Sequence, residues 1–337
     1  NEPQRALAIA NEAVAANPDN PAALDLLGSA QLGARDKLGA TSTFTKLAQA
    51  ADQSPDALQR LAYAQLSAGK QAEARTTLGK ALKLDPGHLA SLDTLMRIEM
   101  RDGQADKAML LARQMQTRHP ESALGFEREG DILLFQKRPD LAAKAFERAQ
   151  TTSPGAVNVI KLHRALTLAG NPQAADQGLN NWIRLNPNDL QARGYAAENL
   201  MAQGRIREAI AAYEAILQQM PGNAIVLNNL AGLYLGQGDP RARATAERAL
   251  KLAPDSPAIQ DTLGWILVEQ GKAPDGLELL RKALAKLPKS DGVRYHHAMA
   301  LIRTGNKAGG QRELEALLRD APQSPLAEAA RKQLQQP

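Results

Sequence analysis

Proline recurs along this chain with a fixed period: Pro86, Pro120, Pro154, Pro187, Pro221, Pro254, Pro288 and Pro322 lie 34, 34, 33, 34, 33, 34 and 34 residues apart. Counting back by the same period reaches Asp52, where the loop Gln53-Ser54-Pro55 replaces the proline, and then Pro18, so the ladder covers the whole chain. A single compact core has no reason to repeat itself at this interval. Such a period belongs to stacked supersecondary units that each touch only their neighbours.

Between rungs the apolar residues follow the helical period twice, as in Asp56 to Ala68 and then Gln71 to Leu84, with Gly69-Lys70 as the turn. Proline stops the second helix, because it has no N–H to donate and disfavours the α conformation in the residue before it. Leu84-Asp85-Pro86, Leu185-Asn186-Pro187 and Leu252-Ala253-Pro254 all end that way. Gly69, Gly103, Gly170, Gly204, Gly271 and Gly305 stand at the mid-unit turn, where a left-handed residue closes the first helix. Aromatic residues are only 3% of the chain while Ala and Gly make up about a quarter, so burial must come from close helix contacts over small residues and Leu.

These residues resemble the tetratricopeptide repeat (TPR) family along essentially the whole sequence. The resemblance implies an all-α fold, a right-handed TPR superhelix, with small residues at the eighth and twentieth positions of each repeat. The eighth is occupied by Gly28, Ala62, Met96, Gly130, His163, Ala197, Ala231, Gly264 and Ala298. The twentieth is occupied by Ala40, Ala74, Ala108, Ala142, Ala175, Ala209, Ala242, Gly276 and Gly310, all small. Larger apolar residues at the twenty-fourth (Phe44, Leu78, Phe146, Leu179, Tyr213, Leu280, Leu314) would fill the next layer. Met96 and His163 depart from the pattern, with His163 read as a packed or hydrogen-bonded core residue, and at Asp239-Pro240 the second helix is expected to start one residue early. The domain reading is residues 1–20 as the second helix of a truncated repeat, 21–322 as nine repeats, and 323–337 as a capping helix and tail. The first helix, Gln4 to Asn17, would leave an apolar face uncovered, as in a fragment of a longer array whose natural C-terminus lies near residue 337.

The chemistry-bearing residues point away from catalysis. No cysteine is present, so disulfides and thiolate chemistry are excluded. Gly232, Gly236 and Gly238 follow no strand and have the wrong spacing for a phosphate loop. His296 and His297 are neighbours on a helix and point about 100° apart, which does not favour a shared metal. His88 and His119 fall in inter-repeat loops, and no nucleophile–base set assembles. The reading is therefore a non-enzyme with no cofactor and no metal. A net charge of +5 with both signs scattered gives no basic stripe, hence no nucleic-acid partner, and no apolar run suits a transmembrane segment.

What remains is surface. In the TPR family, ligand contacts come mostly from the second, fifth, ninth, twelfth and thirteenth positions of the first helices, which line a concave groove. Carried over, the resemblance implies Tyr63, Arg97, Arg101, Asp131, Phe135, Arg164, Glu198, Asn228, Trp265, Tyr295, Met299 and Arg303 as partner-binding residues. Asn229 is the one asparagine at the sixth position, so an asparagine ladder is absent, as is a carboxylate-clamping Lys/Asn set. Trp265 and Tyr295 read either as groove anchors or as inter-repeat packing, whereas Trp182 in a second helix reads as packing.

Four C-terminal phrases carry a narrower resemblance: Asp261-Thr262-Leu263-Gly264-Trp265-Ile266-Leu267, Gly276 to Ala283, Arg294-Tyr295-His296-His297-Ala298-Met299-Ala300 and Arg312-Glu313-Leu314-Glu315. Over roughly the last 80 residues they are similar to the large TPR lipoprotein of PEP-CTERM/exosortase systems. That implies a periplasmic scaffold tethered through an N-terminal lipid absent from this chain, binding a protein partner or extended peptide segment in exopolysaccharide production or surface sorting. The alternative is a groove that binds polysaccharide directly, as part of a cellulose, alginate or Pel-type secretion apparatus.

Overall fold

The computed structural model describes residues 2–335. All regular structure among them is helical: α1 (Glu2–Ala16), α2 (Pro21–Gly33), α3 (Lys37–Ala50), α4 (Pro55–Ser67), α5 (Gln71–Leu84), α6 (Leu89–Arg101), α7 (Ala105–Arg118), α8 (Leu124–Phe135), α9 (Pro139–Thr152), α10 (Ala156–Leu168), α11 (Pro172–Leu185), α12 (Leu190–Ala202), α13 (Ile206–Gln219), α14 (Ala224–Gly236), α15 (Arg241–Leu252), α16 (Pro257–Glu269), α17 (Ala273–Lys286), α18 (Asp291–Arg303), α19 (Lys307–Asp320) and α20 (Ala327–Leu334). The chain forms two compact units that divide after Trp182. In the first, α2 packs on α3, α4 on α5, α6 on α7 and α8 on α9; in the second, α12 packs on α13, α14 on α15, α16 on α17 and α18 on α19. Each of these second helices also packs on the first helix that follows it in its unit, giving an α-solenoid of helical hairpins within each unit.

The sequence fixes where these helices begin and end. Asn20, Ser54, Asp189, Asn223 and Ser290 cap first helices by accepting from backbone N–H groups inside them, and Pro21, Pro55 and Pro257 occupy the first turn, where no N–H is needed. All six predicted turn glycines have positive φ, between +71° and +90°. Gly238 takes the same place in its repeat, and in two repeats the turn is made instead by Arg35 (φ 64°) and Lys137 (φ 58°). Asp52 and Gln53 are also left-handed, so a backbone reversal does there what the missing proline does elsewhere.

Every residue named at the eighth and twentieth positions is buried. The need for small side chains is direct: a Cβ on Gly276 would lie 2.5 Å from the Gly264 carbonyl oxygen, and one on Gly310 would lie 2.6 Å from that of Ala298. Met96 is accommodated because the twenty-fourth position of its repeat is the small Ala112, which joins it in one cluster with Leu92, Ala108 and Met115. His163 is buried with Nε2 at 3.0 Å from Asp176 Oδ1, a packed and hydrogen-bonded histidine. The expectation at Asp239-Pro240 is corrected: α15 begins at Arg241, three residues after the turn glycine rather than the two seen at Gly69 and Gln71, so the helix starts late, not early. Pro240 takes the N-cap place, while Asp239 accepts from the Arg241 backbone N–H.

At the ends, α1 buries Ala10 and rests Val14 on the first core cluster, while Ile9 stays exposed. Helix α20 buries Ala327 and Ala330 against α19. Asn1, at the start of the 1–20 segment, and residues 336–337 of the tail lie outside the described residues.

Candidate partner-binding groove

On a first helix the eighth residue points into the hairpin, so the ninth and thirteenth, one turn apart, share a different face. In the first unit this places Tyr63 on α4, Arg97 and Arg101 on α6, and Asp131 and Phe135 on α8 at those positions. Tyr63, Arg97 and Arg101, with Gln59, Asp93 and Thr94, line one concavity of about 490 Å³. A second, of about 300 Å³, shares Arg97 and is lined by Met96, Met100, Arg128, Asp131 and Ile132. The rings of Tyr63 and Phe135 are 55% and 61% exposed, on helices either side of α6. Arg101 is exposed and has no ion-pair partner among the described residues.

Between the rings runs a chain of charges. Arg97 Nε lies 3.1 Å from Asp93 Oδ2, Arg128 donates to the other oxygen of Asp93 and lies 3.3 Å from Asp131, and Lys161 on α10 lies 2.8 Å from Asp131. Burial works against the Arg128 charge, but the carboxylates of Asp93 and Asp131 outweigh it and hold the guanidinium above its ordinary value. Asp131 is therefore already engaged, whereas Tyr63, Phe135 and Arg101 offer their surface outward. Arg164 is exposed further along, on α10.

The second unit treats its aromatic residues differently. Trp265 on α16 stacks on His296 (ring centroids 4.5 Å apart, planes at 14°), with Tyr295 tilted at 6.5 Å and the Arg303 guanidinium 5.5 Å over the indole. His296 Nδ1 lies 3.0 Å from Asp261, and Arg303 donates to the Val268 carbonyl and pairs with Glu269 at 2.8 Å. The neighbouring repeat thus closes over Trp265, which also packs against Val268, Leu280 and Ala300. Met299 is only 8% exposed, a packing residue whose place in the groove set is corrected here. Asn229 is half-buried, and its amide donates to Tyr213 Oη at 3.3 Å; burial raises that phenol's pKa. Asn228 is half-buried, with an amide oxygen that finds no donor among the described residues, and Glu198 is exposed on α12.

The histidines have separate surroundings. His88 lies between Ser91 and Asp56, His119 Nε2 lies 2.6 Å from the Gly87 carbonyl, and His297 faces Glu313 while His296 faces Asp261. Among the described residues no group of three or more His, Asp or Glu side chains is placed to hold a metal ion, and no helix is long and apolar enough to cross a membrane. Trp182 is half-buried on α11. Sequence reasoning passed over Asp93, Arg128 and Lys161. The signal available was the spacing of Asp93 and Arg128, one repeat plus one residue apart.

Models of the Tetratricopeptide repeat family match residues 56–88, 94–157, 200–266 and 267–334. The chain is 32% identical over 169 residues to the TPR repeat-containing protein PA4667 of Pseudomonas aeruginosa, covering 48% of this chain and 28% of that protein. It is 35% identical over 114 residues to Cellulose synthase operon protein C of Pseudomonas fluorescens (33% and 9% covered) and 25% identical over 264 residues to that of Komagataeibacter xylinus (76% and 18%). It therefore spans less than a third of the length of each of these curated relatives. Among solved structures, it is similar to Cut9–Hcn1 of the APC/C (TM-score 0.54, 15% identity, 94% of this chain and 76% of that one) and to human IFIT1 (TM-score 0.51, 17% identity, 86% and 68%). At these identities the likeness concerns the fold alone.

Proposed function

Because this chain belongs to the tetratricopeptide repeat family, we propose that it is a non-enzymatic scaffold whose first-helix face in the first unit, formed by α4, α6 and α8, holds an extended segment of a partner protein. The observation that carries the reading is the exposed pair of rings, Tyr63 and Phe135, on either side of the unpaired Arg101. Two apolar anchors and a cation suit a segment that inserts side chains and carries a carboxylate between them. A row of stacked sugars wants successive rings along one track, and Arg97 stands at the ninth position between Tyr63 and Asp131, so direct polysaccharide binding is less well served.

We further propose an exopolysaccharide production or export context, in the periplasm, with tethering through an N-terminal lipid outside this chain. The name Cellulose synthase operon protein C carried by two relatives supports a cellulose-type apparatus. The PEP-CTERM surface-sorting alternative is supported by the four C-terminal phrases.

Photo-crosslinking from positions 63 and 135 in native envelope extracts tests the binding reading. It expects one protein adduct common to both positions and lost on Arg101→Glu. Absence of any protein adduct, with soluble cello-oligosaccharides binding the same face, would overturn it in favour of a glycan groove.

A further inference from the structure

The second helices of the first unit carry a separate groove, between α7 and α9, of about 490 Å³. Its floor is apolar, with Met109 and Leu133 backed by Leu141 and Ala145, and Leu110 stands at its edge with 65% of its surface exposed. Four exposed cations surround that floor: Arg113 from α7, Arg138 from the turn, and Lys144 and Arg148 from α9. Two carboxylates, Asp106 and Glu129, also line it, and Glu129 is already engaged by the Gln116 amide at 2.8 Å. Among the described residues none of the four cations has a carboxylate partner; Arg148 lies instead over the Phe126 ring at 4.5 Å.

The repeat supplies its own control. In the second unit the equivalent groove, between α13 and α15, has Glu214 at the repeat position of Arg113. There Arg241 donates to Glu214 at 2.8 Å, also pairs with Asp239, and lies over the Tyr234 ring at 4.1 Å. One groove thus pairs Arg241 with carboxylates and leaves only Arg248, which donates to the Pro221 carbonyl, while the other gathers four unpaired cations around an exposed leucine. Uncompensated charges of one sign repel each other in the free protein and favour an oppositely charged ligand.

We propose that the α7–α9 groove is a second docking site, for an acidic peptide segment that carries a leucine-like side chain. Its glutamates or aspartates meet Arg113, Arg138 and Lys144, and its apolar residue covers Leu110 and Met109. A polyanion without apolar groups satisfies the cations and leaves the floor wet, which is why a peptide fits better than an anionic glycan, and a flat lipid surface does not reach a floor recessed between two helices. The site lies on the second-helix side and does not depend on the first-helix reading.

The test is fluorescence polarisation of a labelled synthetic glutamate/leucine amphipathic peptide against the full chain. Binding is expected to weaken about tenfold or more in Arg113→Glu/Lys144→Glu and by a smaller factor in Leu110→Ser, and to stay unchanged in Lys251→Glu, an exposed cation on α15 outside both grooves. All substituted positions are exposed, and circular dichroism of each variant checks its helicity; Arg138→Glu replaces the double variant if that one misfolds. No binding to the native chain, equal binding by the reversal variant, or an equal loss in Lys251→Glu overturns the proposal. So does binding of poly-glutamate, dextran sulfate or phosphatidylglycerol vesicles as tight as that of the peptide.

Discussion

The ring of Phe44 occupies the place that a side chain on residue 28 would need: a Cβ built on Gly28 would lie 2.6 Å from Phe44 Cζ. Gly130 and Phe146 repeat the relationship at 2.5 Å. Ala62 with Leu78 and Ala298 with Leu314 divide the space with a larger eighth and a smaller twenty-fourth residue, and Met96 is matched by Ala112. In these pairs the two positions exchange volume across one hairpin, so in them neither is free to change alone.

This exchange predicts the behaviour of Gly28→Ala. Overpacking costs about 1–3 kcal/mol, more than the ~1 kcal/mol an alanine gains in helix propensity, so the single variant should be less stable. Adding Phe44→Leu recreates the pairing of Ala62 with Leu78 and should recover at least about 1 kcal/mol relative to Gly28→Ala alone. Chemical denaturation of the four-member cycle measures the coupling; strict additivity would show that the two residues do not compete for space.

Much of this was legible before the structure. Close backbone approach admits only Gly or Ala at the twentieth position, so a count along the ladder finds those residues without coordinates. The turns at Arg35 and Lys137 were hidden because no glycine marks them. A polar register was also overlooked: Asp25 with Arg60, Asp93 with Arg128 and Asp261 with His296 are each 35 residues apart, the fifth position of one repeat meeting the sixth of the next. Trp265 could not be decided from its ninth position, because what covers it comes from α18 and depends on how successive hairpins pack. The same position in the first unit leaves Tyr63 open.

Lys137 holds φ at +58° in a turn where seven other repeats use glycine. A non-glycine residue in the left-handed region costs roughly 1–2 kcal/mol, and glycine returns up to ~1 kcal/mol of that as unfolded-chain entropy. Lys137→Gly should therefore raise stability by about 0.5–1 kcal/mol, with Arg35→Gly behaving alike. Thermal melts check this, and a lower melting temperature in both variants would contradict the strain argument.

The fifth-to-sixth pairs should differ in worth according to burial. The Asp93 and Arg128 side chains are each 17% exposed, so Asp93→Ala strands a half-buried guanidinium. With Asp131 still in reach to soften the loss, the cost should be about 1–3 kcal/mol. Asp25 and Arg60 are well exposed, and Asp25→Ala should cost under about 1 kcal/mol. Equal losses measured in urea would show that burial does not set the difference.

His297 gives the second unit an acid sensitivity. Burial pushes its pKa below the ordinary 6.5; Arg281 acts in the same direction and Glu313 opposes them. The unfolded chain then binds the proton more readily than the folded one, so the contribution of the neutral ring is complete above pH 6.5 and declines as the pH falls below it. Melting temperatures should drop between neutral pH and about pH 5 in the native chain, and drop less in His297→Gln. An identical pH profile in both would remove His297 as the cause.

Trp265 separates packing from recognition on one variant. Its indole is stacked on His296, approached by Arg303 and set against Val268 and Leu280, so truncation removes contacts made by two successive repeats. A fully buried aromatic costs ~3–5 kcal/mol on truncation to alanine; half-burial brings the expectation for Trp265→Ala to about 2–3 kcal/mol. Crosslinking from positions 63 and 135 should meanwhile be unchanged, since those rings belong to the other unit. A small change in melting together with loss of the crosslinked partner would return Trp265 to the contact surface. It would also mean that partner recognition draws on the second unit, so that the exposed rings of α4 and α8 are not sufficient by themselves.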